Sequence, residues 1–277
     1  MCRINPRIDL VFKKMFSAPE NKDMLIDFIN AIVSEKDQVA DLEIKNPYSV
    51  QNFINDKLSI MDIKAVSQSG KHYNIEMQIT DQEYYDKRAL YYWSKLYNGQ
   101  LFSGVNYDNL KKAICINIVS FTCLEEPDYH NVFKILNVES KQELIDDLEI
   151  HFIELSKYDD RLSTLLDRWV NFLKKADYYN RKNFPIELKS IPTIEKAFEV
   201  LENFSMTEYE RDSYEARLKW LLDEEAAIIT AENKGMKKGL AKGKAEGKAE
   251  VAKKMLEKGI DLKTVLELTG LNSEDLK

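Results

Sequence analysis

Asp62 and Glu76 are the pair of residues best spaced in this sequence to do chemistry together. Ile60 to Val66 and His72 to Ile79 alternate apolar and polar residues on either side of Ser67-Gln68-Ser69-Gly70-Lys71, so they read as the arms of a β-hairpin. A loop of Gln68, Ser69 and Gly70 puts the glycine where the backbone turns left-handed. With Ser67 facing Lys71, counting outward pairs Ile63 with Ile75 and Asp62 with Glu76. Met61, Ile63, Ala65, Ile75, Met77 and Ile79 then form a core face, and Asp62, Lys64, Asn74, Glu76 and Gln78 share the other. Carboxylates directly across a strand pair have Cβ atoms roughly 5 Å apart and repel each other unless a cation lies between them. A magnesium-type ion, bound through one or two carboxylates plus water and a substrate phosphate, would turn that repulsion to use. The bland alternative is a solvated polar face, or a register slipped by one residue; the metal site is the preferred reading.

The elements that must hold this hairpin follow from periodicity. Val11, Phe12, Met15 and Phe16 have helical spacing, as do Met24, Leu25, Phe28, Ile29, Ile32 and Val33, which predicts two helices packed beside the sheet. Pro47 marks a boundary, Val50 to Ile54 read as a further strand or its approach, and Asn55-Asp56-Lys57 leads into the hairpin. A helix from about Glu83 to Phe102 is predicted to cover the apolar side of the sheet with Tyr85, Leu90, Trp93, Leu96, Tyr97 and Leu101, aromatics that read as core before base-stacking platform. Ala113 to Phe121 is a continuous, β-branched run and so a fully buried strand, with His151 to Leu155 the final one. This order predicts an α/β fold, a mixed sheet flanked by helices, over residues 1–158.

Residues 159–227 turn helical, with Pro185 and Pro192 as dividers, and read as a lid or dimer surface supporting that core. Gly235, Gly239, Gly243 and Gly247 recur every four residues within 228–258, a Lys-rich stretch that is either a helix with a partner along its small-residue face or a tether. Residues 259–277 look like a short helix-turn-helix in which Gly270 ends one helix and Asn272 or Ser273 caps the next. With few donors for base edges, a packing or oligomerisation hairpin is preferred there over a DNA-reading one.

Composition narrows the class less than the motifs do. The formal charge of −7 leaves a nucleic-acid partner open, because only local fields steer a polyanion. No apolar run is long enough to span a bilayer and the first residues lack an apolar signal region, so a cytoplasmic protein is expected. Cys2, Cys115 and Cys123 lack metal-ligand spacing and read as reduced thiols, with Cys115 in the core. His72, His130 and His151 are scattered, and nothing beside them suggests a nucleophilic triad or zinc centre.

Three stretches carry a family resemblance: Asp9-Leu10-Val11-Phe12-Lys13-Lys14-Met15-Phe16; Asp62 with the hairpin ending Asn74-Ile75-Glu76-Met77-Gln78; and Tyr92-Trp93-Ser94-Lys95-Leu96-Tyr97-Asn98-Gly99-Gln100-Leu101. In order and spacing they resemble the Rpn family of recombination-promoting nucleases and transposases, a branch of the PD-(D/E)xK nuclease superfamily. The resemblance implies a restriction-endonuclease-like sheet with a C-terminal helical extension, and a divalent ion, Mg2+ or alternatively Mn2+, held by Asp62, Glu76 and the Met77 backbone carbonyl. It implies metal-dependent hydrolysis of DNA phosphodiesters tied to recombination or transposition, without a covalent protein intermediate.

The departure from the superfamily pattern is Gln78, which stands where a lysine is usual and can only hydrogen-bond the attacking water. Glutamine is frequent at this point of the Rpn-like branch, and Lys64 is either a replacement cation or a surface lysine paired with Asp62 or Glu76. Asp9 and Lys13 either contribute to the cleft or are exposed helix residues, and Gln100 and Tyr107 match the RecB-like pattern too poorly to be catalytic. Two other readings stand beside the endonuclease: a noncatalytic nucleic-acid-binding or assembly module on the same fold, and an RNA-acting nuclease or toxin. A homodimer is the expected assembly, since concerted double-strand cuts need paired sites.

Overall fold

The computed structural model describes residues 4–46, 62–102, 104 and 106–272. The expected strand at Val50 to Ile54, the Pro47 boundary, the hairpin residues Ile60 and Met61, Cys2 and the Ser273 cap lie outside these residues.

The sheet has six strands among the described residues: β1 (Leu42–Ile44), β2 (Asp62–Ser67), β3 (His72–Gln78), β4 (Ala113–Val119), β5 (His130–Phe133) and β6 (Leu148–Glu154). Their spatial order is β1-β2-β3-β4-β6-β5, with β3, β4 and β6 parallel to one another and the outer pairings antiparallel. The hairpin register is the one its loop dictates: Ser67 N–H donates to Lys71 O at 2.9 Å, Gly70 sits at φ 84°, and Asp62 pairs with Glu76. The short strands β1 and β5 carry too few alternating residues to stand out in the sequence, and they close the two edges.

One face of the sheet carries the main core. Ile63, Ala65, Ile75, Met77, Ile114, Ile116, Ile118 and Ile153 meet α1 (Asp9–Ser17), α2 (Lys22–Ile32), α4 (Leu165–Lys175) and α6 (Pro192–Glu202) in one apolar cluster. Trp169 of α4 packs on Phe16 and Phe28 with ring centroids 5.6 and 5.5 Å away. Its indole N–H donates to Asp27 Oδ2 at 2.8 Å, which also accepts from Thr193 at 2.8 Å, tying α2, α4 and α6 together. Thr164 and Asp167 form a reciprocal capping box that starts α4. The helices after Arg161, expected as a lid or dimer surface, are thus one wall of this core. A single four-residue turn, α5 (Ile186–Lys189), follows Pro185, and Pro192 opens α6, as their φ preference allows.

The other face is covered by α3 (Tyr85–Asn98). Here the structure corrects the expectation that this aromatic helix lies on the apolar side: it lies over the face that carries Glu76. The reason is that β4 and β6 are buried on both faces, as central parallel strands are, so Cys115, Val119, Leu148, Ile150 and Phe152 need a cover of their own. Tyr85 and Ala89 supply it, with Trp93 and Leu96 beside them, whereas Leu90 is exposed.

The chain divides into two compact units, Met1–Arg217 and Leu218–Lys277. The second contains most of the long helix α7 (Glu208–Glu257) and α8 (Leu262–Thr269). Gly235, Gly239, Gly243 and Gly247 are helical and exposed, and a Cβ built at any of them meets nothing within 4 Å. The turn after α7 is a Schellman motif: Gly259 at φ 83° donates to Leu256 O at 2.9 Å and Ile260 N–H donates to Met255 O at 3.1 Å. Asp261 caps α8 by accepting from Thr264 N–H, and Gly270 ends it at φ 65°. Ala252 and Val265 are fully buried between the two helices.

Candidate active site

The hairpin and the helix after it build the site. Asp62 opens β2 directly opposite Glu76 in the β2–β3 ladder, and Glu76 in turn lies beside Asn117 of β4. Glu76 is 0 % exposed. A carboxylate at that depth needs a cation, because an unpaired buried charge is very costly. Arg88 of α3 provides one: its guanidinium donates to Glu76 Oε1 through one terminal nitrogen and to Gln82 Oε1 through the other. Burial alone would lower the guanidinium's pKa, but the Glu76 carboxylate and the neighbouring Tyr92 and Tyr85 hydroxyls raise it, so it stays charged.

Arg88 points at Glu76 because α3 is pinned along its length. Tyr85 packs edge-on against Phe121 and Phe152, the Trp93 indole donates to Ala113 O at 2.8 Å, and the Tyr97 hydroxyl donates to Asp147 at 2.7 Å. The guanidinium lies near the Tyr85 and Tyr92 rings, 5.6 and 5.3 Å from their centroids. Sequence reasoning passed over Arg88, although it is the one arginine between Ile8 and Asp160, and it stands three residues after the buried Tyr85. That isolation was the available signal.

A buried polar stripe surrounds Glu76. Asn74, Gln78 and Asn117 are at most 3 % exposed. The Gln78 amide donates to Thr80 O at 3.1 Å and Thr80 Oγ1 at 3.0 Å, which leaves its carbonyl oxygen buried without a hydrogen-bond partner. The Asn74 carbonyl oxygen is in the same condition. Buried acceptors of this kind normally find a donor or a cation. Glu76, with Asp62 opposite it in the strand register and the Gln78 amide oxygen two residues further along the same strand face, offers oxygen donors only, the chemistry that suits a hard divalent ion. Among the described residues no cluster of three or more His, Cys, Asp or Glu side chains stands ready for a metal.

The other residues singled out from sequence fall as follows. Lys64 shares the Glu76 face, is exposed, pairs in register with Asn74, and its backbone N–H donates to Asn46 Oδ1 at 2.7 Å. The Met77 side chain is in the main core, so only its backbone can serve the site. Asp9 and Lys13 belong to α1, whose apolar residues pack on the opposite face of the sheet. Gln100 exchanges hydrogen bonds of 2.9 and 2.8 Å with the Lys111 backbone, and Tyr107 is largely exposed, so neither serves this site.

The histidines are less scattered than the sequence suggests. Pairing of β5 with β6 brings His130 Nε2 to 2.9 Å from His151 Nδ1, and His151 Nε2 lies 2.8 Å from Glu149 Oε1. Burial first, and the His151 charge second, push the His130 pKa from 6.5 down to about 4. An unfolded chain therefore takes up a proton that the folded one refuses across that window. Stability contributed by neutral His130 is complete above pH 6.5 and is lost as pH falls toward 4. His130→Gln is expected to flatten the melting-temperature profile across this range by the equivalent of about 1–3 kcal/mol; an unchanged acid slope in calorimetry would count against it.

A mixed sheet whose antiparallel hairpin carries Asp62 and Glu76-Met77-Gln78, with a helix laid over that same face, is the PD-(D/E)XK α/β fold. The chain belongs to the PD-(D/E)XK nuclease family transposases, whose family model matches residues 6–231. Residues 245–277 match the C-terminal HTH domain of the Rpn/YhgA-like nuclease family, which makes this chain a member of the Rpn group. No curated protein and no solved structure matches it. No helix among the described residues is long and apolar enough to cross a membrane.

Proposed function

We propose that this protein is a magnesium-dependent DNA endonuclease that hydrolyses phosphodiester bonds in the course of transposition or recombination. The observation that carries the reading is the register pairing of Asp62 with a fully buried Glu76, in a polar stripe that α3 keeps under cover. Asp62, Glu76 and the Met77 carbonyl are the groups that would hold the ion, with Mn2+ as an alternative. When bound, the ion supplies Lewis-acid activation of water and screening of the phosphate's charge.

The chain's own residues do the rest. Glu76, anchored in a buried strand with partners on both sides, holds in place a carboxylate that would take the ion. The Gln78 carbonyl oxygen is an uncharged acceptor that can orient a water but cannot offset negative charge. Positive charge on the phosphate side must then come from another element. Apart from that site, the Lys-rich stretch 228–258 and the capped α8 suit contact with the DNA backbone.

Incubation of the full chain with supercoiled plasmid and with a matched RNA, in Mg2+, Mn2+ or EDTA, tests the reading. Cleavage of DNA that needs the ion and vanishes in Asp62→Ala/Glu76→Ala supports it. Equal cleavage by both proteins rejects this site, and cleavage confined to RNA replaces the substrate.

A further inference from the structure

A phosphodiesterase site of this type needs a cation on the substrate side, and in this chain the position after Glu76-Met77 holds an uncharged amide turned toward Thr80. Arg88 comes from a different element, yet its guanidinium reaches the same carboxylate. Its side chain is 22 % exposed while that of Glu76 is 1 % exposed, so the arginine enters the site from the solvent side, the side from which a nucleic acid must approach. Its Nε–H is buried and has no hydrogen-bond partner, so the planar fork retains donor capacity beyond Glu76 and Gln82. Guanidinium forks match phosphate oxygens as they match carboxylate oxygens. A divalent ion arriving at Glu76 would compete with the guanidinium for the same oxygens.

Resting on the nuclease reading above, we propose that Arg88 is the phosphate-contacting cation of this site, taking the role that Gln78 cannot fill. Its pairing with Glu76 is the resting position, from which it is released when that carboxylate takes a divalent ion. Like charges would then favour an outward position of the guanidinium, where a phosphate approaching from the solvent side would be an anion for it to contact. Tyr85 and Tyr92 limit the swing, keeping the fork over the strand end and not in bulk solvent.

Two measurements on the full chain decide it. The first is Mn2+ binding by calorimetry in the wild type, Arg88→Met and Glu76→Gln, with thermal melting to confirm that each is folded. Arg88→Met should bind Mn2+ on the order of tenfold more tightly, because a competing cation within ion-pair reach is gone, and Glu76→Gln should bind more weakly than wild type. The second is single-turnover cleavage by Arg88→Ala, Arg88→Lys and the double variant Gln78→Lys/Arg88→Ala. Arg88→Ala should lose about 10²-fold in rate, the range for loss of one donor to developing charge. Arg88→Lys should keep part of the rate, and the lysine placed at position 78 should recover tenfold or more.

Wild-type cleavage by Arg88→Ala, or loss of Mn2+ binding along with cleavage in that variant, overturns the proposal; in the latter case Arg88 only builds the carboxylate's pocket. If the wild type cleaves nothing, the nuclease reading fails by itself. The Mn2+ affinities still speak to Arg88: tighter binding in Arg88→Met supports release by the ion, and unchanged binding overturns it.

Discussion

Glu76→Gln is expected to lower Mg2+-dependent cleavage by about 10³-fold, the upper range for removing a single preorganised electrostatic group. The amide keeps the shape of the carboxylate and can still accept from Arg88, so the substitution removes charge and leaves the packing. Glu76 sits in β3 between β2 and β4, completely enclosed. The cost to the fold should be modest, about 1–3 kcal/mol for weakening a charge-assisted hydrogen bond, because Arg88 is partly exposed and can turn to water. Single-turnover rates on plasmid, set beside thermal melts, separate the two effects. A variant that cleaves within tenfold of wild type would remove Glu76 from the reaction.

Lys112→Met should be the most damaging change to the fold outside the aromatic core. Lys112 is 6 % exposed and donates to Asp37 and Glu149 at 2.7 Å each and to Asp146 at 3.0 Å. Burial alone would raise the pKa of all three acids, but hydrogen bonds hold them below the usual carboxylate range: Lys112 and Lys71 on Asp37, His151 and Lys112 on Glu149, Lys36 and Lys112 on Asp146. Removing the central ammonium leaves Asp37 and Glu149 buried and underpaired. Breaking a buried pair costs about 3–5 kcal/mol, which the surviving Lys71 and Lys134 contacts reduce to about 2–4 kcal/mol. Asp146 adds little, because it is 41 % exposed and screened by water.

The sign of the pH dependence follows from the direction of those shifts. Depressed carboxylates contribute stability that is complete above their ordinary, unfolded-state pKa and is lost as pH falls through the lower folded one. The gap between Lys112→Met and wild type should therefore be widest near neutral pH and should narrow below about pH 4, where the acids begin to protonate. Denaturant titrations at pH 7 and at about pH 2.5, well below the ordinary carboxylate pKa, measure it. An equal gap at both values would mean that the lost lysine mattered for its methylene packing and not for its charge.

The hairpin could be read from the sequence because everything that fixes it is local. The Ser67 to Lys71 turn sets the register, strict alternation sets the faces, and Gly70 at φ 84° leaves no competing turn. The buried run Ala113 to Val119 was equally plain, since only a strand covered on both faces is apolar without interruption. The helix over residues 85–98 was visible too, but not the face it takes. Periodicity says that a helix has an apolar stripe; it does not say which of two apolar sheet faces the stripe meets.

By itself, then, the sequence determined the strand pair, its register and the acidic residues set opposite each other across it, all within about one turn and two strands of chain. Only the tertiary structure decided what answers the Glu76 charge. Arg88 lies twelve residues further on, in another element, and its approach depends on where Tyr85, Trp93 and Tyr97 anchor α3 across β4 and β6. The same holds for Lys112, Glu149, His151 and His130, which are spread along the chain and brought into contact by strand pairing. Local rules fix the geometry of neighbouring residues, whereas the partner of a buried charge is fixed by the burial of apolar surface elsewhere in the molecule.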